Sequence, residues 1–283
     1  MSYRPFLFTG DPNYPSGYAG SLVNATPPLP TYAAMGDSFS SGEGNPPFEI
    51  GTDTSSDSCH RSPQAYPRLL ELDSSLNLGS TAFVACSGAM TSNVTGGQNG
   101  EPTQTSAITA DTKVITITVG GDDIGFADYA AGCYAGPCGP GTPSYSGIMA
   151  AAGSQALVTR LESTYEAILA KATNPGVQIY VVDYPYIAPD GAGMCAGFDV
   201  SGAYSIESML NLAIEQSVAE VGDSKLHYVN TNAPGSPFDG RSLCSSNDSD
   251  FNGLKYPFVY SLHPNAQGQQ DYATVVKDYI QLH

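Results

Sequence analysis

The sequence predicts an α/β protein: a doubly wound, mainly parallel five-stranded sheet held between two helical layers. Three observations carry that reading. Short apolar runs alternate with longer segments of helical period along most of the chain. The run 113–119 (KVITITV) is β-branched almost throughout, as a strand covered on both faces requires. Between residues 148 and 172 the period changes to 3.6, with Leu157, Leu161, Tyr165, Ile168 and Leu169 on one apolar face.

Residues 1–29 are rich in Pro, Gly, Asn and Tyr and have no sustained period, so they read as an N-terminal extension or linker remnant before one domain over 30–283. Strands are expected over 31–36, 81–85, 113–119, 177–182 and 225–230. Ser38 follows the first strand, and Asn45-Pro46-Pro47 limits any helix after it to a short turn. Ser62 followed by Pro63 marks a helix start over 62–72, with Pro67 making its early part irregular. The Gly-rich stretch 88–100 passes over the sheet edge where Ser38 sits, and residues 127–146 read as a loop. Asn174-Pro175-Gly176 stops the 148–172 helix. Further helices are expected over 206–221 and from Pro264 toward Ile280, separated from the earlier elements by loops at 184–203 and around Cys244.

A chain of 283 residues can bury one large core. Its 10 Lys and Arg stand against 27 Asp and Glu, a formal charge of -17. That balance disfavours nucleic acid and electrostatic docking on an anionic membrane. No apolar run approaches a membrane span, and no signal peptide is visible, so the chain is expected to be a mature form with its leader absent. Cys59, Cys86, Cys133, Cys138, Cys195 and Cys244 are even in number, widely spread and without zinc-like histidine spacing. They point to disulfides in an oxidising compartment, with fifteen pairings open. Asn24, Asn93 and Asn247 each begin an Asn-x-Ser/Thr sequon and are candidate glycosylation sites.

Three segments can carry chemistry. Met35-Gly36-Asp37-Ser38, with Gly42 and Gly44 beyond it, puts a hydroxyl at a strand exit, on the sheet edge where α/β proteins bind ligands. Gly120-Gly121-Asp122-Asp123 reaches the same edge from the central strand, and Ser261-Leu262-His263-Pro264-Asn265 supplies a histidine before the last helix. Ser38 needs a base beside it to become a nucleophile, and neutral His263 is the candidate. A turn serine and a capping histidine are the structural alternatives. His227 alternates within a strand and reads as a sheet residue; His60 lies in a loop beside Cys59, and His283 is the last residue.

These segments, in this order, resemble the SGNH hydrolases, also called GDSL esterases and lipases, over roughly residues 30–280. The six cysteines narrow the resemblance to a secreted, three-disulfide branch that includes actinobacterial lipases and fungal relatives. The resemblance implies a flavodoxin-like strand order and consecutive pairing: Cys59 with Cys86, Cys133 with Cys138, Cys195 with Cys244. It implies an oxyanion hole formed by the Ser38 and Gly88 backbone N–H groups and the side chain at 122. It also implies metal-independent, cofactor-free ester hydrolysis; a monomer is expected.

Two departures from the family pattern matter. Many relatives carry Asp three residues before the histidine; here that position is Tyr260, whose backbone carbonyl is the implied orienter of the imidazole, with Asp183 and Asp239 as unplaced alternatives. The family motif Gly-x-Asn-Asp is here Gly120-Gly121-Asp122-Asp123, so an acid replaces the donor amide. An ionised Asp122 has no proton to donate. Asp122 is therefore protonated and donating, or ionised and stabilising an imidazolium, or it weakens the site. The first option conflicts with a base of reference pKa about 6.5, unless both groups shift. Asp37 and Asp123 read as loop-orienting residues.

The expected function is carboxylic ester hydrolysis, with Phe39, Phe48, Phe126, Tyr129 and Tyr134 as candidate acyl-pocket residues favouring a lipid ester. A carbohydrate O-acetyl esterase and a weakened lipid- or glycan-binding protein are the alternatives.

Overall fold

The computed structural model describes residues 29–245 and 248–283. The 1–28 part of the expected extension and the sequons at Asn24 and Asn247 lie outside the described residues.

Chain order runs β1 (Tyr32–Gly36), α1 (Ser38–Ser41), α2 (Tyr66–Leu72), β2 (Thr81–Phe83), α3 (Thr91–Gly96), β3 (Val114–Thr118), α4 (Phe126–Ala135), α5 (Pro143–Ala152), α6 (Gln155–Lys171), β4 (Gln178–Val182), the two-residue strands β5 (Met194–Cys195) and β6 (Phe198–Asp199), α7 (Ala203–Val221), β7 (Leu226–Val229) and α8 (Ala266–Leu282). The central sheet has the order β2-β1-β3-β4-β7, every pair parallel. All five expected strands form, in the strand order the resemblance implied. Because β1 and β3 are adjacent and in register from Tyr32↔Val114 to Gly36↔Thr118, they deliver Ser38 and Asp122 side by side at one sheet edge. Ala33, Met35, Ile115, Ile117, Ile179 and Val182 are buried to 1% exposure or less, which is why these strands read as continuous apolar runs.

Three helical expectations need correction. The helix expected from Ser62 starts only at Tyr66, with Ala65 before it and Pro67 in its first turn, because Ser62 Oγ instead accepts from the Gln64 N–H at 3.0 Å in a preceding turn. Residues 127–146 are not a loop: α4 occupies most of the first half, and α5 begins at Pro143. Small residues and Gly132 give α4 little hydrophobic period, so its helix is imposed by packing, with Phe198 and Tyr134 rings 5.9 Å apart and Cys133–Cys138 closing its end. The 148–172 helix is two helices, because Gly153 ends α5 and the Ser154 side chain then caps α6 by accepting from the Leu157 N–H at 3.2 Å.

The disulfides pair consecutively: Cys59–Cys86, Cys133–Cys138 and Cys195–Cys244. Closing the 27-residue separation of Cys59–Cys86 restricts the unfolded chain. Replacing both cysteines by alanine is expected to lower unfolding free energy by roughly 3.5 kcal/mol, read as a lower denaturant midpoint with a somewhat steeper slope, since the unlinked chain exposes more surface when unfolded.

Candidate active site

The turn that carries Ser38 is set by backbone geometry. Gly36 ends β1 at φ +125, and a Cβ there would lie 2.5 Å from the Thr118 carbonyl oxygen, so only glycine lets β1 and β3 close at this edge. Gln104 clamps the same residue, accepting from the Gly36 N–H at 2.7 Å and donating to its carbonyl at 2.9 Å. Asp37 then caps α1, its Oδ1 accepting from the Phe39 N–H at 3.0 Å. Ser38 follows at the first helical position, its side chain facing a cavity of about 280 Å³.

His263 lines the same cavity. It is held by a built loop: Leu262 N–H donates to Asn252 O and Asn252 N–H to His263 O, both at 2.9 Å, and Asn45 Nδ2 donates to Pro264 O at 2.8 Å. Leu262 sits at φ +65, a left-handed conformation costly for a branched side chain and kept here by those bonds. Asn265 caps α8, accepting from the Gln267 and Gly268 N–H groups. Phe39 packs against the imidazole with ring centroids 5.4 Å apart. Ser38 and His263 are thus brought together, although no hydrogen bond joins them in this structure; such bonds often tighten only on substrate binding.

The imidazole orienter differs from expectation. The Tyr260 carbonyl lies against Gly44, where a Cβ would come within 2.9 Å of it. His263 Nδ1 is buried without a hydrogen bond of ordinary geometry. The backbone groups that raise the ring pKa are those of Ser261 and Val259. Asp183 is no alternative, since it is buried and receives Thr231 N–H at 2.8 Å and Tyr228 O–H at 2.7 Å. Asp239 is exposed in the loop after β7 and does not line the cavity.

The candidate oxyanion donors are placed as follows. Asp122 lines the cavity next to Ser38. Gly88 lies on the exposed turn after β2, at φ +76; its N–H has no acceptor among the described residues. That turn is tied to the nucleophile strand, because Cys86 N–H donates to Gly36 O at 3.0 Å. Gly88 does not itself line the cavity. Asp123 accepts from Thr91 N–H at 2.8 Å and Arg160 Nε at 3.1 Å, so it orients the start of α3, in keeping with a loop-orienting role.

Electrostatics bear directly on the conflict between acid and base. Burial lowers the His263 pKa, while the Glu43 carboxylate and the Ser261 and Val259 backbone oppose that shift. Burial pushes Asp122 up to about 6, helped by Asp123 and Asp128. Both groups therefore move in the directions that let a neutral imidazole and a protonated Asp122 coexist on the acid side of neutrality.

Some participants carried no sequence signal. Glu43, buried, holds His60 at 2.7 Å beneath the histidine loop, and the pair raises the His60 pKa. Tyr184, expected only as the start of a loop, lines the cavity beside Asp37. Of the candidate aromatics, Phe39 and Phe126 line the cavity; Phe48 stacks on His60 instead, and the buried Tyr129 O–H donates to Cys138 O at 2.8 Å. His227 accepts its sheet role, bonded to Gln178 at 2.6 Å. The Asn93 amide already donates to Gly97 O at 3.2 Å within α3. Asp57, Cys59 and Glu101 approach one another, but Cys59 is in a disulfide and Arg61 faces both carboxylates, so the cluster does not suit a metal.

A parallel sheet with a hydroxyl and an imidazole meeting at its carboxyl edge, stabilised by three disulfides, defines a class: secreted serine-type carboxylic ester hydrolases. The chain belongs to the GDSL-like lipase/acylhydrolase family, whose sequence model matches residues 34–270. It is 30% identical over 242 residues to a lipase of Streptomyces rimosus, covering 84% of this chain and 82% of that protein. It is 31% identical over 248 residues to lipase 1 of Streptomyces coelicolor, with the same coverages. Among solved structures, the phospholipase A1 of Streptomyces albidoflavus superposes with a TM-score of 0.69 at 30% identity, covering 89% of this chain and 99% of that one.

Proposed function

We propose that this chain hydrolyses esters of lipid-type acyl groups through an acyl-enzyme on Ser38, with His263 as the base. The observation that carries the reading is the cavity itself. Ser38 and His263 open onto about 280 Å³ lined by Phe39, Phe126, Ile187, Phe198, Leu210 and Phe258. Ser38 Oγ attacks the ester carbonyl while His263 accepts its proton. The oxyanion is met by the Ser38 and Gly88 N–H groups and by the O–H of protonated Asp122. Collapse expels the alcohol, which takes the proton from His263. Water, deprotonated by the same imidazole, then releases the acid and restores Ser38.

The surroundings favour lipid over acetylated sugar. Tyr134, Leu254 and Val259 are exposed apolar side chains; Val259 lines the cavity and Tyr134 packs on its wall residues Phe198 and Phe258. Tyr134 meets Phe258 at 5.6 Å, and Leu254 reaches within 3.6 Å of the Cβ position of Gly197 in the β5–β6 turn beside Phe198. Grouped exposure of this kind marks a surface for apolar ligands. The relatives named lipase and phospholipase A1 support the same substrate class.

The test is hydrolysis of a chromogenic ester series from acetyl to long acyl. Wild type is expected to prefer medium or long chains. Phe258→Ser removes one wall of the cavity and is expected to lower kcat/KM about tenfold on those chains, with acetyl ester turnover changing less than twofold. Turnover confined to acetyl esters of sugars would replace the lipid reading by a deacetylase.

A further inference from the structure

We propose that Tyr184 is a positioning residue that keeps the proton shared by the two carboxyls beside Ser38 on Asp122 and the negative charge on Asp37. The inference rests on the ester-hydrolase reading above and deepens it, because it supplies what makes an aspartate usable where the family motif has an amide.

The hydrogen-bond directions carry the argument. The Tyr184 phenol oxygen accepts the Gly121 N–H at 2.9 Å, and its own proton is given to Asp37 Oδ2. Asp37 Oδ1 receives the Phe39 N–H at 3.0 Å. Asp37 therefore has two donors, one for each oxygen, whereas Asp122 has no side-chain hydrogen bond among the described residues. Donors to a carboxylate stabilise its charged form. Two neighbouring carboxyls in an apolar cavity resist carrying two charges, so they retain one proton between them. With both donors on Asp37, that proton belongs on Asp122, where the O–H faces the cavity.

The phenol is fixed by packing as well. The Tyr184 ring meets Phe39 edge-on at 5.0 Å, and Phe39 lies against His263, so Tyr184 spans the nucleophile turn and the glycine loop that bears Asp122. Gly121 permits this approach; a Cβ there would stand 3.3 Å from the phenol oxygen. The other groups facing the pair have defined roles. Glu207, from α7, lines the same cavity; burial raises its pKa well above the carboxylate range, so it stays neutral, and it accepts from the Ile187 N–H at 3.0 Å. Asp123 and Asp128 disfavour charge on Asp122, and Asp123 is itself paired with Arg160. Tyr66 and Tyr272 face Asp37 from α2 and α8, both with pKa values raised by burial, so they stay neutral. Glu43 and His60 act on His263 rather than on the carboxyl pair. Burial raises the pKa of Asp122 to about 6 and that of Asp37 well above the carboxylate range, and the Asp122 charge adds to the Asp37 shift, so the pair retains a proton. Burial alone would leave it on Asp37; the Tyr184 and Phe39 donors are what oppose that and assign it to Asp122.

The experiment compares rate–pH profiles for a soluble short-chain ester in wild type, Tyr184→Phe, Asp122→Asn and the double variant. Phenylalanine keeps the ring and removes the donor. Asp37 then competes for the proton and the repulsion on Asp122 falls, so the alkaline limb is expected to move about one pH unit lower. On that limb the rate should fall about tenfold, with little change near the acid optimum. Asp122→Asn should lack the limb, and adding Tyr184→Phe to it should move no limb. Asp37→Asn, which also removes the competing charge, should shift the limb in the same direction and serves if Tyr184→Phe folds poorly. A uniform drop at all pH values in Tyr184→Phe, with Asp122→Asn still abolishing the limb, overturns the assignment to Tyr184 and leaves the donor role of Asp122 standing. A limb that survives unchanged in Asp122→Asn overturns both.

Discussion

Replacing Ser38 with alanine is expected to lower kcat by about 10⁴- to 10⁶-fold while leaving the fold intact. The hydroxyl is the only atom removed, and Ser38 Oγ takes part in no hydrogen bond among the described residues, so no buried partner is stranded. The turn that presents it is held by other groups: Gln104 on Gly36, Asp37 on Phe39, and the Ser41 and Gly42 N–H groups on Asp37 O and Ser38 O. Thermal unfolding of Ser38→Ala should therefore match wild type within a few degrees. His263→Ala should cost a similar factor, and Ser38→Ala/His263→Ala should cost little more than either alone, because nucleophile and base act as one unit. Covalent labelling by a serine-directed phosphonate should disappear in Ser38→Ala. Wild-type turnover in folded Ser38→Ala would place the chemistry on another residue.

Asp122→Asn is expected to raise activity at alkaline pH by up to about 100-fold at pH 8. The sign follows from the two shifts. Asp122 is pushed up to about 6, so it is a neutral donor below pH 6 and an ionised, repelling group above it. His263 is lowered by burial, so it is a neutral base above its depressed pKa and an inactive cation below. Wild type should therefore show a bell-shaped profile with its maximum on the acid side of neutrality. At pH 8, two units above the Asp122 value, about one molecule in a hundred keeps the donor, and asparagine restores it to all. At pH 5 the two enzymes should differ little. This range agrees with the roughly 100- to 1000-fold normally lost with one oxyanion donor. An Asp122→Asn profile that falls at the same alkaline pH as wild type would assign that limb elsewhere. A loss of activity at every pH would instead favour an ionised Asp122 stabilising the imidazolium.

Much of this was legible from residue order. Strands buried on both faces must be apolar at every position, so 113–119 and 177–182 declare themselves without a structure. The nucleophile also has a local signal, since a serine after a short apolar strand and before close-approach glycines occupies a restricted kind of turn. Gly36 is required by the Thr118 carbonyl beside it, and Leu262 is held left-handed before His263 by Asn252. Neither reason is visible in the sequence, although the glycine and the histidine are. Helix α4 was illegible because its sequence has little apolar period and forms under tertiary packing.

By itself the sequence determined the sheet and the compartment implied by six cysteines, and it singled out Ser38 and His263 as the candidates, because each depends on residues close together in the chain or on composition. Only the tertiary structure decided what surrounds them. The carbonyls that face His263, the partnership of Glu43 with His60, and the Tyr184 bridge from Asp37 to Gly121 join residues up to 147 positions apart. Burial decided the rest: an aspartate and a histidine have ordinary titration behaviour in water, and exclusion of water in the folded cavity moves their pKa values toward each other.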